Sequence, residues 1–142
     1  MSVKLKQIPI EKLNQYNRNT MMEAMGLEFI ATGDDFVQAR MPVDRRTHQV
    51  YGILHGGASV ALAETLGSVG AMMAVDTEKF RCVGIDINAN HIRSVKSGFV
   101  TGTARPLHLG KNTHVWEIKI VDDQDRLVCI SRLTVAVVPG GV

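Results

Sequence analysis

The chain has 142 residues, 45% hydrophobic and 21% charged, which suits one globular domain over 1–142 with a core of its own. Sixteen Lys and Arg against fourteen Asp and Glu leave a formal charge of +2, excluding the strongly basic face of a usual nucleic-acid binder and an acidic disordered tail. One Trp, two Tyr and four Phe are too few for a single-strand stacking platform. Cys82 and Cys129 are too few for a disulfide scaffold and lack zinc spacing, so two buried thiols in a cytoplasmic protein are expected.

In chain order, the N-terminus carries early lysines but no apolar run behind them, unlike a signal peptide. Residues 10–17 and 20–25 read as short helical turns stopped by Gly26. Two short strands, 27–31 and 36–41, flank the turn signal Gly33-Asp34-Asp35. A polar loop over 42–54 leads to a helix over 56–75 whose only charge is Glu64. That run is long enough to span a bilayer. Its early glycines and serines and its central acid favour a buried core helix instead.

The second half changes period. Segments 81–95, 98–110, 113–121 and 126–138 are rich in Val, Ile and Thr and are separated by Gly98, Gly110 and the acidic run at 122–125. In the third, Trp116, Ile118 and Ile120 alternate with Glu117 and Lys119, the period of a half-buried strand. Pro106 marks a bulge or an edge. Two strands, one helix and four long strands give an α+β architecture, one helix lying on a single antiparallel sheet. Small residues at helical spacing (Ala63, Gly67, Gly70 or Ala71, Ala74) let that helix approach the sheet closely. It is apolar nearly all round, and one sheet covers only part of it, so a partner subunit is expected.

The chemistry gathers around this helix. A carboxylate alone in an apolar helix costs several kcal/mol unless paired or solvated. Glu64 is therefore either functional or bridged to an arginine such as Arg93 or Arg132. The helix entry, residues 52–57, has no Ser, Thr, Asp or Asn cap. Its glycines leave backbone N–H groups open at the positive end of the helix dipole, a setting for an oxyanion or carbonyl oxygen. Water or His55 capping that end is the alternative. His48 and Gln49, in the preceding loop, lie close enough in sequence to reach the same place. No HExxH or GxSxG pattern occurs, so no metal site and no serine nucleophile are expected. No acid stands between Asp86 and Glu117, whereas Arg93, Lys96, Arg105 and Lys111 do, with His91, His108 and His114. Such a stretch faces either phosphates or solvent.

The segment QVYGILHGGASVALAETLGS (49–68) resembles the active-site segment of hotdog-fold acyl-CoA thioesterases of the 4-hydroxybenzoyl-CoA and phenylacetic-acid-degradation type. Within that group it is most similar to the 1,4-dihydroxy-2-naphthoyl-CoA and enterobactin-proofreading thioesterases. GIDINANHIRS (84–94), RPLHLGK (105–111) and SRLTVAV (131–137) extend the resemblance over most of the chain; the first forty residues carry little of it.

The resemblance implies a curved antiparallel sheet around the long helix and a homodimer or dimer of dimers in which two subunits join their sheets edge to edge, with sites at the subunit junction. By position, Gly56 N–H polarises the thioester carbonyl, and Gln49 and His55 place substrate or water. Glu64 is nucleophile or general base, and Ser68 holds the attacking water. Coenzyme A, part of the substrate rather than a cofactor, would lie along Gly84, His91, Ile92, Arg93, Ser94, His108, Leu109, Gly110, Lys111 and Asn112. A carboxylate in an apolar pocket is a better base near neutral pH. Val69, Met72, Met73 and Tyr51 are candidates for the acyl pocket, and methionines there favour breadth. The implied activity is hydrolysis of aromatic acyl-CoA thioesters, with a possible place in menaquinone biosynthesis. Three alternatives stand beside it: proofreading of groups on an acyl carrier protein, a hotdog hydratase, and a non-catalytic acyl-CoA-binding subunit. Neither nucleic acid nor membrane is an expected partner.

Overall fold

A computed structural model describes residues 3–141. The N-terminal segment forms α1 (Ile10–Tyr16) and α2 (Met21–Ala24). Thr20 caps α2 through its hydroxyl, which accepts from the Met22 N–H at 3.2 Å. Gly26, at φ +75°, ends it in a conformation that suits glycine. The Asn14 side chain donates to the Phe29 carbonyl at 3.1 Å and accepts from its N–H at 2.8 Å, tying α1 to the sheet.

A hairpin follows, β1 (Glu28–Gly33) and β2 (Phe36–Pro42), and then the long helix α3 (Gly56–Met73). Strands β3 (Phe80–His91), β4 (Phe99–Leu109), β5 (Thr113–Val121) and β6 (Leu127–Pro139) complete the chain. All six strands form one antiparallel sheet in the order β1-β2-β4-β5-β6-β3. The sheet wraps α3, which touches every strand from β2 to β6. The α+β architecture expected from the change of period is present, and β3 is left as a long edge.

The small residues of α3 do what their spacing implies. A Cβ on Gly67 would stand 2.6 Å from Leu133 Cδ2, and one on Gly70 would stand 2.6 Å from the Trp116 ring. Larger residues at either position would force helix and sheet apart. Trp116, Ile118 and Ile120 are fully buried beneath the helix together with Leu62, Leu66 and Met73. The register of β4 against β5 slips between Pro106 and His108, the bulge expected at the proline, and Leu107 is left exposed.

Several boundaries move, two of them beside the helix and the edge strand that matter most here. The helix stops at Met73 rather than 75, where the Ala74 N–H turns back to the Ala71 carbonyl at 3.1 Å. Asp76 then accepts from the Glu78 N–H and starts a turn. The first of the four long strands, β3, ends at His91 rather than 95, because Ile92 and Arg93 both donate to the Val128 carbonyl. Residues 92–95 thus bend toward the start of α3, and Val95 accepts from the Leu54 N–H at 2.8 Å. Among the described residues no helix is long and apolar enough to cross a membrane.

His114 on β5 is a buried polar group inside this core, 3% exposed, and its Nδ1 is 3.5 Å from Trp116 Nε1–H. Burial, with His108 nearby, holds its pKa below the ordinary 6.5. Below that value the unfolded chain binds a proton that the folded chain refuses. The histidine's contribution is therefore intact above about 6.5 and is lost as pH falls from there. Urea midpoints are expected to drop between pH 7.5 and 5.5, and to drop less in His114→Phe; an equal drop in both would contradict this account.

Candidate active site

The loop before α3 is a braced platform. The Thr47 hydroxyl donates to the Pro42 carbonyl at 2.8 Å, and the Thr47 carbonyl accepts from the His55 N–H at 2.8 Å. Asp44 and Arg46 pair at 2.7 Å, and the guanidinium holds the Asp44 carboxyl down to about 2. His48 Nε2 meets the Lys96 carbonyl at 2.9 Å. It therefore ties the loop to residues 92–98, and Gln49, not His48, lines the cleft below it. The Gln49 side-chain oxygen accepts from the Tyr51 N–H, leaving its amide N–H groups to donate elsewhere.

The start of α3 has no usual capping residue but is capped by His55, the alternative that the sequence left open. His55 is the N-cap, and its Nδ1 accepts from the Gly57 N–H at 2.8 Å. That bond places the ring proton on Nε2. Ala58 N–H, and at longer range Ser59 N–H, find the His55 carbonyl. The Gly56 N–H has no acceptor among the described residues. It opens on a cleft of about 390 Å³ lined by Gln49, Gly56, Ser59, His91, Arg93 and Ser94. A Cβ at Gly56 would lie 2.8 Å from His91 Nε2, so the imidazole packs directly on this glycine. An unpaired N–H at a helix start, beside amide and imidazole groups, is equipped to hold an oxygen that gains negative charge.

Glu64 is placed differently from the expected core carboxylate. It is exposed, and it bridges neither Arg93 nor Arg132 among the described residues. Its Oε2 lies 3.2 Å from where a Cβ on Gly84 would stand, so it overhangs the edge strand at a position without a side chain. Ser68, one turn on, opens into an apolar cavity of about 600 Å³ with Val69, Met72, Phe80 and Cys82. Val69 and Met72 of the expected acyl-pocket residues are there. Met73 instead faces the core at 1% exposure, and Tyr51 stands 85% exposed at the loop tip.

Gly56 and Glu64 are eight residues apart on one helix, about 12 Å along its axis at 1.5 Å per residue. One chain therefore does not bring both to a single carbonyl. The expected coenzyme path is also divided. Gly84 lies by Glu64, and His91, Ile92, Arg93 and Ser94 lie by the helix start. His108, Leu109, Gly110, Lys111 and Asn112 form the β4–β5 hairpin end. On β6, the partner of His91 is Cys129 and that of Thr113 is Ala136, seven residues or about 23 Å further along. Of the basic residues, Arg105 is engaged elsewhere, paired with Asp35 at 3.1 Å and stacked on Phe36. Arg93 and Lys111 have no acidic partner among the described residues.

Residues 51–129 match the family model described as the thioesterase superfamily, more than half of the chain. The chain belongs to the thioesterase superfamily. It is 47% identical over 132 residues to the 1,4-dihydroxy-2-naphthoyl-CoA hydrolase of Escherichia coli, covering 93% of this chain and 96% of that one. It is 48% identical over 133 residues to the proofreading thioesterase EntH of Cronobacter turicensis, with the same coverage. A solved thioesterase of Pseudomonas aeruginosa superposes with a TM-score of 0.93 at 49% identity, covering 95% of this chain and 98% of that one.

The fold is thus the hotdog thioesterase fold, and the protein is a thioester hydrolase. A thioesterase needs an oxyanion donor and a nucleophile or base. The thiols do not offer themselves for the second role: burial pushes both Cys82 and Cys129 above the ordinary thiol range. The contribution of α1 to the apolar cavity, through Tyr16, had no signal in the sequence, because the residues that meet there are far apart along the chain.

Proposed function

We propose that this thioesterase hydrolyses aromatic acyl-CoA thioesters, of the hydroxybenzoyl or dihydroxynaphthoyl kind, with broad tolerance, at sites shared by two copies of the chain. The observation that carries the reading is the split on α3: an unpartnered Gly56 N–H at one point and an exposed Glu64 carboxylate about 12 Å away. Strand β3 supplies a way to join them. It is an edge strand of twelve residues with Val83 and Ile85 exposed, and such edges require covering. Gly84, beneath Glu64, and His91, against Gly56, lie seven residues apart along it. A two-fold axis between Ile87 and Asn88 would pair β3 antiparallel with its copy and set Gly84 opposite the partner's His91. Glu64 of one protomer then faces the partner's Gly56. The minimal unit is a dimer, and two dimers associate into a tetramer.

In that site the Gly56 N–H holds the thioester oxygen while Glu64 acts in one of two ways. Either it attacks the carbonyl carbon, expelling the coenzyme thiolate and leaving an anhydride that water then hydrolyses. Or it takes a proton from a water held by Ser68, whose attack on that carbon breaks the C–S bond and releases the thiolate. Gln49 has amide N–H groups left to orient the acyl group. His55 fixes the helix start, and its Nε2–H remains to donate. Arg93 and Lys111 are cations free to meet coenzyme phosphates, the latter from a hairpin at the far end of the sheet. A carrier-protein thioester offers the same reacting bond, so proofreading of carrier-bound groups is the second reading; the 48% identity to a proofreading thioesterase favours keeping it.

Steady-state release of free thiol from benzoyl-, naphthoyl- and octanoyl-CoA tests the substrate class. The expected result is kcat/KM at least about tenfold higher for the aromatic thioesters, the scale on which a shaped apolar pocket discriminates. Turnover of octanoyl-CoA alone, or of none of the three, would overturn the proposal.

A further inference from the structure

Glu64, Ser68 and Met72 follow one another at four-residue steps on α3, so they share a face of the helix. That face runs from the exposed carboxylate into the 600 Å³ apolar cavity. The cavity ends against Tyr16 of α1 and Thr77, beyond the end of α3. Behind this end lies a second cavity of about 200 Å³, lined by Gln7, Ile8, Pro9 and Met73 among others. Tyr16, Met72 and Thr77 line both spaces, so the two cavities adjoin at these side chains. The backbone under Tyr16 is held firmly, by buried Leu13 and by the paired Asn14–Phe29 hydrogen bonds. The Tyr16 ring itself is half exposed, and its hydroxyl makes no hydrogen bond among the described residues. The boundary is therefore made by packing alone, from a tyrosine ring and an unbranched thioether, both able to change rotamer.

We propose that Tyr16 and Met72 form the partition that sets the length of acyl group this thioesterase accepts. This rests on the reading of Glu64 as the reacting end. An acyl group whose carbonyl is at Glu64 passes Ser68 and stops at the Met72 side chain and the Tyr16 ring. The distance along α3 from Glu64 to Met72 is about 12 Å, which gives one ring or two fused rings room and stops longer groups. Removing either side chain joins the two cavities and admits acyl groups that the native wall excludes. Tyr16 and Met72 are thus specificity-determining residues that take no part in bond breaking.

The test compares benzoyl-CoA with 4-phenylbenzoyl-CoA as substrates, and the S-benzyl and S-(4-phenylbenzyl) thioethers of coenzyme A as non-hydrolysable ligands. In Tyr16→Ala and Met72→Ala the long-to-short ratio of kcat/KM is expected to rise about tenfold over wild type, with the same direction in the ratio of affinities. Tyr16→Phe keeps the ring and is expected to stay within about twofold of the wild-type ratio. Since Tyr16 is half exposed, Tyr16→Ala is expected to fold, and its circular dichroism and Tm report this. Unchanged ratios for both ligand pairs in folded Tyr16→Ala would overturn the partition. A shifted affinity ratio without turnover of any thioester would support the partition while overturning the hydrolytic reading of the site.

Discussion

Glu64→Ala is expected to lower kcat/KM for thioester hydrolysis by about a thousandfold, equivalent to about 4 kcal/mol of transition-state stabilisation. The fold should hardly register the change. Glu64 is exposed, makes no ion pair among the described residues, and stands mid-helix, where alanine is the best helix former. Loss of activity with an unchanged melting curve therefore separates a chemical role from a structural one. Glu64→Gln refines the result by keeping shape and removing charge: a comparable loss is expected, because an amide neither attacks the carbonyl nor takes a proton from water. A loss of less than tenfold in either variant would mean that this carboxylate is only a solvated helix face, and another group would have to do the chemistry.

Much of the fold was legible in local pattern. The change from helical to alternating period located the elements, and the small residues of α3 foretold its close approach to Leu133 and Trp116. Pro106 foretold the bulge in β4. What the pattern missed depends on where the sheet ends. A helix apolar all round reads as buried all round, so Glu64 was assigned to the core. The sheet stops at β3, and the Glu64 face looks past that edge over a glycine.

The candidate site divides in the same way. The HGG segment announced an open helix start, and Gly56 N–H is open; capping by His55 stood as the alternative, and both hold at once because the ring takes the Gly57 N–H and leaves that of Gly56. The acid-free stretch between Asp86 and Glu117 looked like one basic surface. Folding disperses it, with Arg105 turned to Asp35, Arg93 at the helix start and Lys111 at the far hairpin. Linear spacing does not report which end of a strand a residue reaches, and here the two ends of β3 and β6 serve different parts of the molecule.

The second large effect is expected at the other half of the site. Gly56→Val places a branched side chain where even a Cβ would meet His91 Nε2 at 2.8 Å. Either the imidazole swings into the cleft or the valine itself covers the N–H. Both outcomes obstruct the oxygen that the N–H would hold, and a loss of about a hundredfold or more is expected, the scale of removing one oxyanion donor. Gly56 starts the helix rather than lying in its interior, and it faces a cleft rather than the packed core. The variant is therefore expected to fold and to associate as the native protein does, which circular dichroism and light scattering report.

These two variants damage different halves, and combining them tests the shared site most directly. Glu64→Ala and Gly56→Val chains, each nearly inactive alone, are co-refolded in equal amounts. If every site takes Gly56 from one chain and Glu64 from its partner, each mixed dimer holds one intact site and one doubly damaged site. With random association half of the dimers are mixed, so the mixture is expected to regain about a quarter of wild-type activity. A mixture no more active than the average of the two variants, at a size confirmed as dimeric or larger, would contradict a site divided between two copies of the chain.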